Sequence, residues 1–456
     1  MLTESVLLNN GASLPVHASQ NEQNAVWAKI NLRIVPVILI AYMMAFLDRI
    51  NVGYAKLAMQ QDLHFSDAVF GLGAGIFFIT YLMFEVPSNL WLEKIGARLS
   101  FLRIMVLWGL TSAATAFVTT PAEFYVVRLL LGIFEAGFFP GVILYLTYWY
   151  PSARRGRVTG LFLFGMPITG MLGGPLCGMI MKHFDGMAGW HGWQWLFVIE
   201  GLPTVLIGVL VYLLLADKPE QAKWLSEREK QVVSHVMEAD CTHEINQHGR
   251  GKLKATFANP KVWILSFVYF TCTCAVYTIT FWLPTTIKGL GISDIAQIGW
   301  YSAIPFGCGA LGILLMSWSS DRFKERRWHV ASALFIGPLV LFAAQLSGGS
   351  FVATMFMLSI ASFFVFAIAL FWAIPPGYLR PSESATGIAV ISSMGTLGGF
   401  ISPTLIGWIM ATTGSMSKGL LFAAALSCVG AVTLLVALPR VSHVQAIKPL
   451  TTLTEN

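Results

Sequence analysis

The sequence predicts an all-α membrane protein of about twelve transmembrane helices arranged as two six-helix halves. Of its 456 residues, 56% are hydrophobic and 11% charged, whereas a soluble domain carries about 25% charged residues. Mean hydropathy is +0.68. About twelve stretches approach the ~20 apolar residues that a spanning helix needs. None shows the ~10-residue alternation of a membrane barrel strand. One long hydrophilic break near 217–260 divides the stretches six and six.

In chain order the spans read 30–56, 68–92, 99–118, 121–148, 155–182, 194–216, 261–287, 295–320, 328–346, 351–379, 384–411 and 418–438. The resulting organisation is a tail over 1–29, a first half over 30–216, a linker over 217–260, a second half over 261–438 and a tail over 439–456. The first 26 residues contain no Lys or Arg, so they lack the basic region of a signal peptide. Leu225, Val232 and Val236 give the linker a helical stripe. That stripe suits a short amphipathic helix on the membrane face, and a solvated linker is the competing reading.

Charge placement orients the bundle. Lys29, Arg33, Lys94, Arg98, Arg103, Arg154, Arg155, Arg157, Arg322, Lys324, Arg326, Arg327, Arg380, Arg440 and Lys448 fall on one face, and 217–261 adds eight more. The other face keeps Lys56, Lys182, Lys288 and Lys418. The rich side is cytoplasmic by the positive-inside rule, which puts both termini inside a plasma membrane, or the inner membrane of a bacterium. The net charge of +6 is therefore topological, and no nucleic-acid partner is expected. Cys177, Cys241, Cys272, Cys274, Cys308 and Cys428 are scattered without metal-ligand spacing. No metal and no cofactor is expected.

Four charges interrupt the apolar runs: Asp48 and Arg49 in the first span, Arg128 and Glu135 in the fourth. Each costs at least ~2.5–3.5 kcal/mol near a bilayer centre unless it faces a bundle interior or wet cavity. They mark a substrate or ion pathway. Asp48 lies ~12 Å along its helix from Lys56, and Glu135 lies ~10 Å deeper than Arg128 on nearly the same face. Asp48 and Arg49 point ~100° apart and cannot simply pair with each other. The economical arrangement pairs Asp48 or Glu135 with Arg128 and leaves Arg49 for substrate. The second half offers neutral groups instead: Tyr277, Thr278, Thr280, Trp282, Trp372, Ser392, Ser393 and Thr396.

Internal repeats support the division. NLWLEKIGAR (Asn89–Arg98) follows the second span and SWSSDRFKERR (Ser317–Arg327) the eighth. LGGPLCG (Leu172–Gly178) and LGGFISPTLIG (Leu397–Gly407) recur in the fifth and eleventh, where small residues permit close helix approach. The two loops resemble the Gly-x-x-x-Asp-Arg/Lys-x-Gly-Arg-Arg/Lys signature of the major facilitator superfamily. Asn89 and Ser317 replace its first Gly, Glu93 its Asp, and Lys324 the second-copy Gly. The resemblance implies the major facilitator fold and a gate formed by Glu93, Lys94, Arg98, Asp321 and Arg322.

FLDRINVGYA, VRLLLGIFEAGFFPG, WLFVIEGLP, TFWLPTTIK, ERRWHV and FWAIPPGYL resemble the anion:cation symporter branch, nearest its tartrate, phthalate and hydroxyphenylacetate permeases. The resemblance implies that Arg49 binds a substrate carboxylate and that Asp48 and Glu135 couple protons. Arg128 would steady those acids or share the anion, with Tyr81 and Tyr277 lining the cavity. Trp372, Ser392 and Thr396 complete the candidate substrate site. Many relatives carry Asn-Ser-x-Gly-Asn where this chain has Ser392-Ser393-Met394-Gly395-Thr396. Losing both amides points away from a polyhydroxylated sugar acid and toward a less hydroxylated or aromatic one.

Other polar residues receive plainer readings. Glu85 is expected to partner gate bases, and Glu123 and Glu200 to be solvated near the outer surface. His183 and His191 are expected at the surface, and Trp149, Tyr150, Trp190, Trp193 and Trp195 in an interfacial belt. The function expected is import of a small organic carboxylate by proton symport through alternating access, in a monomer. Inward anion movement is opposed by ~2.3 kcal/mol per charge per 100 mV, so uptake needs a co-transported cation. No broken-helix oxygen cluster for sodium is evident, which favours protons. An exchanger or efflux carrier, and a non-transporting nutrient sensor, are the alternatives. No metal or nucleophile motif at an interface suggests an enzyme.

Overall fold

The structure, a computed structural model, describes residues 19–247, 253–347, 349–379 and 381–439. Of the expected tails over 1–29 and 439–456, residues 1–18 and 440–456 lie outside the described residues, as do the linker centre at 248–252 and Arg380, and residues 20–29 already belong to the first helix. Among the described residues, twelve helical stretches are long and apolar enough to cross a membrane. They are built from helices α1 (Gln20–Asp62), α2 (Asp67–Ile95), α3 (Ala97–Ala114), α4 (Pro121–Glu135), α5 (Phe138–Trp149), α6 (Ser152–Leu163), α7 (Gly165–His183) and α8 (Gly192–Leu214). The linker holds α9 (Glu227–Gln247) and α10 (Leu253–Ala258). The second half holds α11 (Pro260–Lys288), α12 (Ile295–Phe323), α13 (Arg327–Ala343), α14 (Phe351–Ala367), α15 (Pro381–Thr413) and α16 (Met416–Ala437).

The fourth span is broken where the sequence reads it as continuous. Gly137 stands at φ 85°, ψ −4° between α4 and α5, a left-handed conformation that costs an L side chain roughly 1–2 kcal/mol. A Cβ there would also fall 2.6 Å from Ser88 Oγ. Only glycine suits both constraints, and Glu135 becomes the last residue of α4.

The linker helix docks on the face that bears the N-terminus. Val232 and Val233 are buried, Lys29 pairs with Glu229 at 2.8 Å and Arg228 with Glu22 at 2.9 Å. Trp224 stacks on Trp149 at 5.7 Å. Trp149 is buried beneath it, and Tyr150 and Trp193 are buried as well, which corrects the expectation of an interfacial belt at those three positions. Trp193 instead donates its indole N–H to Asp62 at 2.9 Å.

The two halves meet along glycine seams. A Cβ on Gly299 of α12 would lie 2.2 Å from the Gly174 carbonyl oxygen of α7, and one on Gly71 of α2 would lie 2.4 Å from the Pro403 carbonyl oxygen of α15. These are the glycine motifs repeated in the fifth and eleventh spans, each packed on the opposite half. Among the described residues, the hydrogen bonds and ion pairs joining the halves lie level with Arg49 or toward the face opposite the termini. They are Arg49 to Tyr277, Lys56 to Thr285, Lys288 to the Leu57 carbonyl, Thr404 to the Gly71 carbonyl and Lys182 to Asp294. Below Phe78, which packs on Gly399, α2 turns Met83, Phe84 and Val86 outward and exposed. The halves are tied to each other at the opposite face.

Candidate functional site

The first-half charges converge at mid-depth. Arg49 of α1 forms an ion pair through Nη2 with Glu135 of α4. Its Nη1 donates to the Tyr277 hydroxyl of α11 at 3.5 Å, so one guanidinium ties the proton-coupling candidate to the second half. The same guanidinium lies 5.6 Å from the Phe77 ring centroid and 5.4 Å from that of Tyr81. Arg128 lies over Phe77 at 5.1 Å. Two guanidinium planes thus share one aromatic ring, a favourable cation–π arrangement in a desolvated site.

This geometry corrects the expected pairing. Arg128 Nε donates to the Gly73 carbonyl at 3.0 Å, while Asp48 accepts from the Ser112 hydroxyl. Neither acid forms a direct ion pair with Arg128, and the base that holds Glu135 is Arg49. The cause is rotational: α1 turns Arg49 toward α4 and α11, and Asp48 toward α3. Arg128 still acts electrostatically on Asp48 and Glu135. Buried Nε of Arg49, Nη2 of Arg128 and Oε2 of Glu135 have no hydrogen-bond partner. That is spare capacity, at one place, for a carboxylate and a proton. Arg49 retains 14% side-chain exposure and Glu135 none, so the guanidinium is the group a ligand reaches.

The second-half candidates divide. Tyr277 joins the Arg49 cluster and packs edge-on against Phe78 at 4.6 Å. Trp372 stands against Tyr269 at 4.6 Å, nearer the terminal face and without contact to Arg49. Thr396 donates to the Ser392 carbonyl at 3.2 Å, and neither residue bonds the cluster. Both share the α15 face of Gly399 and Pro403, the four standing at the i, i+4, i+7 and i+11 spacings of one stripe. That face packs on α2 deeper in, where Gly399 meets Phe78 and Pro403 meets Gly71.

The gate candidates are not engaged across the halves. Glu93 and Lys94 are exposed. Asp217, at the end of the first half, accepts the Arg98 backbone N–H at 2.8 Å, and the Arg98 guanidinium donates to the Tyr212 carbonyl at 2.7 Å. The acid locking this loop is therefore Asp217 rather than Glu93, which leaves α2 on its exposed side one turn before the bend at Gly96. In the second copy Asp321 and Arg326 approach to 3.7 Å, with Asp321 74% exposed, and Arg322 is exposed.

Two further expectations are corrected. Glu85 makes no ion pair with a gate base among the described residues, and the cation acting on it is Arg49. Glu200 is buried, not solvated. It accepts from Asn51 Nδ2 at 2.9 Å and from Cys177 Sγ at 3.3 Å. Glu123 is exposed as expected, closing a capping box with Thr120, and His183 and His191 are at the surface. Ser112, Asn51 and Gly73, which position the charges, carried no sequence signal beyond neighbouring them in an apolar run.

Comparison with known proteins follows the same lines. Residues 38–403 match the family model described as Major Facilitator Superfamily. The chain is 43% identical over 397 residues to "Putative metabolite transport protein NicT" of Pseudomonas putida, covering 87% of this chain and 90% of that one. It is 44% identical over 417 residues to a "Putative tartrate transporter" of Agrobacterium vitis, covering 90% of each. It is 41% identical over 396 residues to a "Quinolone resistance transporter" of Acinetobacter baumannii, covering 86% of this chain and 90% of that one. In fold it matches an inward-facing, unoccupied bacterial homologue of the human lysosomal transporter Spinster, with TM-score 0.71 and 16% identity over 91% of this chain and 97% of that one.

Proposed function

The chain belongs to the major facilitator superfamily of transporters, and on that premise we propose that it imports a small organic carboxylate by proton symport. The observation that carries this reading is the Arg49–Glu135 ion pair, set at mid-depth between the halves and bonded to both. A guanidinium binds carboxylate through two parallel N–H donors, and Glu135, held through Nη2 alone, occupies part of that fork until it is protonated. A proton on Glu135 releases Arg49, and the substrate carboxylate takes its place. Release of both on the other side restores the ion pair and resets the carrier. Asp48 serves as a second proton site, and Arg128 steadies both acids without binding either directly. Tyr81, Phe77 and Tyr277 give the bound acid an aromatic wall.

Alternating access follows from the asymmetry of the contacts between halves. With the terminal face cytoplasmic, as the Lys and Arg distribution supports, we read this arrangement as the inward-facing state of a plasma-membrane carrier. Glu93, Lys94, Arg98, Asp321 and Arg322 would meet when that face closes. The relative named for tartrate supports a carboxylate substrate. The relative named for quinolone resistance favours a second reading, efflux of an organic acid.

The test is uptake by proteoliposomes of labelled tartrate and of mono- and dicarboxylic aromatic acids under an imposed pH gradient. Accumulation with the gradient acid outside, abolished by a protonophore, is the expected result. Accumulation only with the gradient reversed would favour efflux. No accumulation of any acid in either direction would overturn the reading.

A further inference from the structure

Glu200 is a third acid buried inside the first half, 5% exposed in the middle of α8, and the cycle above does not use it. Both its oxygens accept from neutral donors, Asn51 and Cys177, and no Lys, Arg or His pairs with it among the described residues. The polar groups facing it from each packed helix are few. α1 presents Asp48, Asn51 and Tyr54 and α7 presents Cys177, while Ser112 of α3 bonds Asp48. Arg128 acts on Asp48 and is not among the charges that act on Glu200.

A carboxylate buried in such surroundings without a cation is costly, and the group takes a proton instead. The proton then needs an acceptor. Asn51 is fully buried, and its Oδ1 has no partner. Asn51 stands one helical turn from Asp48 and beside it. An amide carries both an acceptor and two donors. Asn51 Nδ2 spends one N–H on Glu200 Oε2 at 2.9 Å and has the second for Asp48 beside it, while a proton on Glu200 Oε1 finds its acceptor in Cys177 Sγ at 3.3 Å.

We propose that Glu200 stays protonated through the transport cycle and acts as a positioning residue, holding Asn51 so that its amide N–H stabilises the ionised form of Asp48. Glu200 thereby sets the pH at which Asp48 exchanges its proton. The proposal rests on the proton-coupled reading of the preceding subsection. It adds no proton transfer through Glu200 itself.

The test compares Glu200→Gln, Glu200→Leu and Asn51→Leu in proteoliposomes, following initial uptake against pH and substrate counterflow at fixed pH. Glutamine keeps an oxygen that accepts the Asn51 N–H, so Glu200→Gln should keep the wild-type pH profile. Leucine releases Asn51, and Asp48 loses a donor to its ionised form. The midpoint of the profile should then move about half to one pH unit toward alkaline, and Asn51→Leu should reproduce the shift if Glu200→Leu does not fold. An unchanged profile in both leucine variants would reduce Glu200 to packing. A profile shifted in Glu200→Gln would show that Glu200 itself exchanges protons, and would equally overturn the proposal. If wild-type uptake ignores the pH gradient, the proton-coupled reading fails by itself. Infrared titration of wild type against Glu200→Gln then decides whether Glu200 holds its proton to alkaline pH; loss of that proton near neutrality overturns the proposal.

Discussion

Arg49 and Glu135 make the sharpest demands at the scale of single residues. Arg49→Lys keeps the charge but loses the planar fork and its stacking on Phe77 and Tyr81. Substrate binding should weaken by about tenfold or more, equivalent to ~1.4 kcal/mol. Wild-type affinity in a direct binding assay would remove Arg49 as the anchor. Glu135→Gln mimics the protonated acid and leaves Arg49 free. It should bind and counterflow substrate at near wild-type rate yet fail to concentrate it under a pH gradient; uphill accumulation by this variant would shift coupling to Asp48. These four charges were legible in the sequence because each is expensive in lipid unless it works. Their pairing was not. It depends on how far α1 rotates about its axis, and on partners such as Ser112 and the Gly73 carbonyl that look like any other small residue or backbone group in an apolar run. Glu200 was misread for a related reason. Its distance from the start of its span suggested the interface, whereas α8 packs so closely on α3 through Gly109 and Gly201 that the side chain is sealed inside.

At the scale of elements, span positions were readable from length and apolarity, but the break after Glu135 was not. Gly137 followed by Pro140 in the first turn of α5 is the signal, since proline is tolerated there and not deeper, yet in lipid-facing sequence the same residues read as helix packing. The repeated loops show a second consequence of symmetry. Gly96 in the first copy has φ 89°, and Lys324 at the matching position of the second has φ 51°. Lys324→Gly should therefore relieve left-handed strain, with a gain of up to ~1 kcal/mol after the entropy cost of glycine. A higher unfolding temperature in detergent is expected, and a lower one would show that the lysine side chain matters more than its backbone. The linker helix makes a pH-dependent contact. Burial opposes ionisation of Glu229, but the Lys29 side chain and the Ser226 N–H outweigh it and hold the carboxyl below its ordinary range. A depressed carboxyl stabilises the docked state above the unfolded value of about 4.3 and loses that contribution as pH falls through the folded value. Hydrogen exchange in α9 should accelerate below about pH 4, with no change between pH 6 and 8 from this contact.

At the scale of the whole molecule, the balance between the two access states rests on what closes the face opposite the termini. Lys56 of α1 is 3% exposed there. It pairs with Asp67 at 2.7 Å and lies 3.9 Å over the Trp282 ring of α11, with Thr285 Oγ1 at 3.4 Å. Asp67 belongs to the first half and travels with Lys56, whereas Trp282 and Thr285 belong to the second. Opening this face therefore breaks the cation–π contact and leaves the ion pair intact. Such a contact is worth about 0.5–2 kcal/mol. That is enough to move a two-state population by roughly two- to thirtyfold. Lys56→Gln removes the cation while keeping a polar side chain for Asp67 and Thr285, and it should shift the protein toward the state open at this face. Ala74 lines the small cleft beside Lys56, Trp282 and Pro403, so an Ala74→Cys reporter reads the change directly. Its labelling by an impermeant thiol reagent from that side should speed up several-fold when Lys56→Gln is added, and substrate should modulate the difference. Equal labelling rates in the two backgrounds would mean that the glycine seams, not the Lys56–Trp282 contact, hold this face shut.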